Sequence, residues 1–296
     1  MWQLHPASTQ LAPRDAVCDP DLTPALEAAF ELPDFFDELK LRLGKPEVVA
    51  WDDFPTRTLV KLEGMARLQF QAGITLLQVP ALAYAAESHV RGLLECLAHV
   101  TYICSPRFFR HPSKTKALCV ELAFSRAKRD LYPKLPDSAI PGDPAKARAS
   151  VREEFETLSA LHVKTGCRCA RKADGSVKPT LWEMSKDERA SPLGSSEETP
   201  WSFLVNLYDS SSTYLHQALF DRLLGLVRPG VTSILPAGFV QRGAELNWLL
   251  QPYRRIGTQI LALDDDQLSA EFESQVIRVI LDPALQTALR GNRRQP

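Results

Sequence analysis

Apolar residues along the chain recur at helical spacing, and strand-like alternation is scarce. Thr23-Pro24 reads as an N-cap with proline at the first helical position, opening a stretch through Leu26 and Phe30 that Pro33 is expected to interrupt. A second short helix is expected over 34–43, closed by Gly44 and Pro46. The pattern predicts a helix over about 56–71 and a longer one to about Cys104, with Pro80 as a kink or first-turn residue. Ser113 should cap a helix to about Leu131, the proline-rich stretch 133–144 should be a surface connection, and Asp143-Pro144 should start a charged helix to about Val163. Beyond a polar loop at 164–177, helices are expected at 180–189 around Trp182, from Thr199-Pro200 to before Pro229, over 236–262, over 265–281 and over 283–289. The expected class is all-α, divided into an acidic arm with short helices (1–55), a core bundle (56–228) and C-terminal helices packing on it (229–296).

The 296 residues are 45% hydrophobic and 24% charged, enough apolar material for a sizeable core, which excludes disordered and fibrous classes. The longest nearly apolar stretch, 73–86, falls short of the roughly 20 residues a bilayer crossing needs. The N-terminus has neither a basic start nor an apolar run, so a cytoplasmic protein without a membrane span is expected. The net charge of −1 hides a strong asymmetry. Eight acidic residues and no basic one lie between Asp15 and Glu38, whereas Arg107, Arg110, Lys114, Lys116, Arg126, Lys128, Arg129 and Lys134 face only Glu121 and Asp130. Either the acidic arm folds back on the basic surface, or that surface meets an anionic partner such as RNA.

Cys96, Cys104 and Cys119 fall on apolar helix faces and read as core thiols. His162, Cys167 and Cys169 cluster in sequence but lack the second ligand pair of a structural zinc site, so neither metal nor cofactor is assigned. Two polar ladders step by four. Glu87, Arg91, Glu95 and His99 lie on one helix, flanked by Tyr84 and Tyr102 and opposite an apolar face that includes Leu82 and Val90. Tyr208, Ser212 and His216 lie on another, at the edge of a leucine stripe. Hydroxyl and imidazole groups in a seam require partners, and the charged stripe can supply them; Glu95, rather than Glu87, is expected to be the buried one.

The order R-x-x-x-E (Arg91, Glu95), Trp182, Y-x-x-x-S-x-x-x-H (Tyr208, Ser212, His216) resembles a bacterial all-helical family of unknown function with HEPN-like architecture. The likeness covers about 56–228, and Ser211 stands where that family places leucine. It implies a bundle in which the two ladders meet, without implying an activity. HEPN ribonucleases carry Arg and His with four to six residues between them, a spacing this chain lacks, since Arg107 to His111 is one residue too short. The leading expectation is a binding or regulatory module for RNA or a partner protein at the basic middle region, compatible with a homodimer. The alternative is a metal-independent ribonuclease or nucleotide-processing enzyme of stress or phage defence. There His216 would act as acid or base, Arg91 would stabilise phosphate charge, Ser212 or Tyr208 would orient substrate, and Glu95 would complete the polar set.

Overall fold

The computed structural model describes residues 22–44, 53–79, 82, 85–104, 111–166, 239–261 and 266–282. Among them there are seven α-helices and no strand: α1 (Thr23–Arg42), α2 (Phe54–Leu77), α3 (Glu87–Cys104), α4 (Ser113–Leu131), α5 (Pro144–Lys164), α6 (Phe239–Leu261) and α7 (Asp266–Gln275). The last runs on as a π-helical turn, Val276–Leu281. The all-α class expected from the periodicity is what the chain forms. The helices expected at 180–189, 199–228 and 283–289 lie outside the described residues.

Helix α2 is the hub, touching α1, α3, α4 and α6. Its inner face is Leu59, Leu62, Ala66, Phe70, Ile74 and Leu77, a run at spacings of three and four that is buried throughout. Two of its contacts depend on glycine or on a flat aromatic pair. A Cβ on Gly73 would come within 2.7 Å of Leu249 Cδ2, so the absent side chain lets α6 lie close to α2. Nearby, Phe70 stacks on Tyr253 with ring centroids 4.3 Å apart and planes 13° from parallel. The C-terminal end of α2 is closed by Arg242 of α6, whose Nε donates to the Leu77 carbonyl at 2.9 Å, a cation placed where the helix dipole favours one.

Helix α1 departs from expectation. Pro33 lies inside one continuous helix of 20 residues rather than between two. Proline there removes the hydrogen bond to the Ala29 carbonyl, at a cost of about 3 kcal/mol. Burial of Leu26, Ala29 and Leu32 before it, and of Phe36 and Leu39 after it, on one face offsets that loss. Thr23 is the first helical residue rather than the cap, which falls at Leu22. Gly44, at φ +64°, follows the end of the helix as expected. The predicted boundary near residue 71 also moves: α2 runs on to Leu77, and α3 begins only at Glu87.

The described part of the acidic arm, α1, packs on α2 rather than on the basic segment. Arg67 pairs with both Asp34 and Asp37, while Lys40 bridges Asp37 (2.8 Å) and Glu63 (3.0 Å). Further along, α4 carries α5 on its outer side. Asp143 caps α5 as the sequence predicts, accepting from the amides of Ala145 (2.9 Å) and Lys146 (3.1 Å). Arg148 clamps the proline-rich connection by donating to the carbonyls of Tyr132 (3.3 Å) and Leu135 (3.0 Å) and pairing with Asp137 (2.7 Å).

At the other end of the molecule Phe272 of α7 sits directly on Gly257 of α6, against Phe36 (centroids 5.3 Å apart) and Phe35. Glu273 secures the same seam, pairing with Arg254 at 2.9 Å and accepting from Thr258 Oγ1 at 3.2 Å. A Cβ on Gly257 would enter the Phe272 ring. Gly257→Ala is therefore expected to destabilise by about 1–3 kcal/mol through overpacking. Gly243→Ala on the same helix meets no atom of the described residues within 4 Å and should be neutral or stabilising by up to about 1 kcal/mol. Urea denaturation of the two variants checks the contrast.

Candidate functional site

Helix α3 is fixed by Val90, Leu93, Leu97 and Val100, all fully buried against α2 and α6. That anchoring turns the middle of the charged stripe outward. Arg91 Nε lies 3.5 Å from Glu95 Oε1, with side chains 34% and 54% exposed, a loose surface contact worth at most about 0.5 kcal/mol. The ends of the stripe turn inward because a step of four drifts by 40° per turn. Glu87 is only 3% exposed, and His99 is half-buried, edge-on against Phe124 of α4 with ring centroids 5.6 Å apart. The expectation for the two glutamates is thus reversed: Glu87 is the buried carboxylate and Glu95 the solvated one. Leu82, expected on the apolar side, is exposed.

Tyr208, Ser212 and His216, together with Trp182, lie outside the described residues, as do Tyr84, Arg107, Arg110, Cys167 and Cys169. Of the basic set, Lys116 is not a surface residue. It is 1% exposed, with Nζ 5.7 Å from the centre of the buried Tyr102 ring. Three others have carboxylates at hand. Lys128 lies 3.5 Å from Glu154 of α5, Arg126 lies 3.8 Å from Asp130, and Arg129 Nη2 lies 2.7 Å from Asp130 while covering the Phe155 ring at 4.1 Å. Lys114, at the start of α4, and Lys134, just past its end, are exposed without a carboxylate within ion-pair distance among the described residues.

Burial also determines the chemistry of the α3 side chains. It lowers the His99 pKa to about 4, and Nδ1 has no hydrogen-bond partner among the described residues, so this imidazole stays neutral and unavailable as an acid. Burial, with a smaller contribution from Glu95, raises the Cys96 thiol to about 12, which makes it an inert core group as expected. Cys119 is buried too, and Cys104 half-buried. His162 is buried on α5, and no cluster of three metal-ligating side chains occurs among the described residues.

Two polar contacts escaped the sequence reading. Glu121 of α4 is buried and accepts from Thr58 Oγ1 (3.1 Å) and Lys61 Nζ (2.7 Å) on α2, with Arg57 Nε 3.7 Å away. A lone carboxylate inside the apolar run Ala117–Phe124 was its visible signal. His89 Nδ1 lies 2.7 Å from Gln69 Oε1, an arrangement permitted because a Cβ on Gly92 would lie 2.8 Å from the Gln69 amide carbon. No residue spacing marks that pair, since it forms only when α2 and α3 pack.

Comparison of the chain with protein-family models, curated proteins and solved structures finds no match.

Two outcomes follow from the burial pattern. Glu87→Ala should cost about 1–3 kcal/mol and Glu95→Ala under about 0.5 kcal/mol, read from thermal melts. An unfolded chain takes up a proton at His99 near pH 6.5, whereas the folded chain resists it down to about 4. Stability is therefore full above pH 6.5 and falls on acidification, by about 2 kcal/mol at pH 5 from this residue alone. His99→Gln should remove that share of the difference between urea midpoints measured at pH 7.5 and pH 5.

Proposed function

We propose that the chain is a non-enzymatic binding or regulatory module whose partner is a protein. The observation carrying this reading is the outer face of α2, where Val60, Met65 and Leu68 remain exposed on a helix whose opposite face is fully buried, with the exposed Val79 just past its end. A row of large apolar side chains on one helix marks an interaction site more often than it marks ordinary surface. The RNA form of the reading draws less support. Arg126, Lys128 and Arg129 are already answered by Asp130 and Glu154, and Lys116 is out of reach of a phosphate. The ribonuclease alternative keeps one point in its favour: the Arg91–Glu95 contact is long and partly solvated, so a phosphate group could compete for the guanidinium.

Chemical cross-linking in cells producing the chain, followed by mass spectrometry, tests the proposal. Cross-linked protein species should be lost in Leu68→Lys and retained in Lys114→Glu; the opposite pattern contradicts the reading. A labelled single-stranded RNA added to purified chain should stay intact and bind weakly. Tight, steeply salt-dependent binding lost in Lys114→Glu would favour RNA as partner. Cleavage abolished in both Arg91→Ala and His216→Ala would instead establish the enzyme.

A further inference from the structure

Three interruptions of regular helical hydrogen bonding fall at one level of the bundle. Pro33 lies inside α1 and Pro252 inside α6, and neither can donate to the carbonyl one turn before it, that of Ala29 or Trp248. The third is the π-helical turn Val276–Leu281 that continues α7. Contacts between helices fix their heights. Both α1 and α6 run antiparallel to α2: Arg67 meets Asp34 and Asp37 and Lys40 meets Glu63, while Tyr253 stacks on Phe70 and Arg242 reaches the Leu77 carbonyl. Pro33 and Pro252 therefore stand level with each other, beside Phe70. Helix α7 returns along α6, with Phe272 on Gly257 and Glu273 paired with Arg254, so Val276 arrives at the same height. Helices α2 and α3 pass that level unbroken.

Polar ties are distributed unevenly about this level. Among the described residues, every ion pair joining α1 to a neighbour comes after Pro33: Asp34 and Asp37 with Arg67, Lys40 with Glu63, and Arg42 with Glu271. The ties of α6 to α7, Arg254 and Thr258 to Glu273, lie on the same side. Before Pro33 the contacts are apolar, with Ala25, Leu26, Ala29 and Leu32 buried on the face that packs with Val276 and Ile280 of the π-turn. Glu27 and Glu31 stay exposed there, and with Pro24, Ala28, Phe30 and Gln78 they line an open groove of about 510 Å³ between this end of α1 and the end of α2.

We propose that residues 23–32 of α1 and the π-turn form one hinged unit that swings about the level of Pro33, Pro252 and Val276, widening and narrowing the groove over the end of α2. Prolines and π-turns are the places where a helix bends. Breaks at different heights would leave each helix splinted by an intact neighbour, whereas breaks at one height let α1, α6 and α7 yield together against the spine of α2 and α3. The ion pairs beyond Pro33 hold the other half of α1 in place. Hinge motions of this kind run on the microsecond-to-millisecond scale.

Methyl relaxation dispersion on the full chain tests the hinge on that timescale. Ala28, Ala29 and Ile280 should show exchange with one shared rate, and Ala66 and Ile74 of the spine should show none. Pro33→Ala returns a donor to the Ala29 carbonyl, and it should lower the population of the minor state at least about threefold. Pro252→Ala should act in the same direction and serves as the second variant if the first disturbs folding. Flat dispersion profiles at Ala29 and Ile280, exchange of equal size at Ala66 and Ile74, or a minor state unchanged in both folded variants overturns the hinge.

Discussion

Helix α2 buries Leu62, Ala66, Phe70, Ile74 and Leu77 between four neighbours, and every other described helix is placed directly or at one remove by that burial. The packing is close enough to constrain side-chain choice. Leu249 fills the space beside Gly73, and the Phe70 and Tyr253 rings lie face to face. Burying each of these side chains is worth roughly 1.5–3 kcal/mol, so the seam among α2, α3 and α6 outweighs the surface ion pairs by a wide margin. The same constraint gives α2 two unlike faces, one sealed and one apolar yet exposed.

Charge performs a secondary role, joining elements that the core has already brought near. Arg67 and Lys40 tie α1 to α2, Glu121 ties α4 to α2, and Glu273 ties α6 to α7. Glu121 differs from the rest because it is fully desolvated. Removing one of its partners would leave a buried carboxylate poorly answered, whereas trimming an exposed pair such as Arg91–Glu95 changes little. Within the basic segment, Arg126, Lys128 and Arg129 have Asp130 and Glu154 at hand, and Lys116 is buried. A charge count along a sequence does not reveal this, because Glu154 reaches Lys128 only through the packing of α5 on α4.

Local signals were legible in proportion to how local their physics is. Asp143-Pro144 marks a cap that acts within three residues, and Cys96 sits at an apolar register position that packing preserves; both appear as read. Pro33 misleads because its local cost is outweighed by tertiary burial that sequence does not display. Glu87 and Glu95 exchange roles because a ladder at a step of four drifts around the helix, so its ends and its middle meet different environments. Lys116 shows the same limit: a cation in a basic run proves to be inside, over Tyr102. The proposed meeting of Arg91 and Glu95 with Tyr208, Ser212 and His216 concerns residues of which only the first two are described. Its functional weight has passed to α2, whose exposed row was hidden within a helix read only as apolar and periodic.

If burial of the inner face of α2 organises the molecule, that helix should be the last to open. Native-state hydrogen exchange of the full chain measures this directly. The amides of Leu62, Ala66, Phe70 and Ile74 should exchange only through global unfolding, while those of α5, held on α4 alone among the other α-helices described here, open earlier and at lower free energy. Exchange of the α2 amides through a partial opening that leaves α4 and α5 protected would contradict the account.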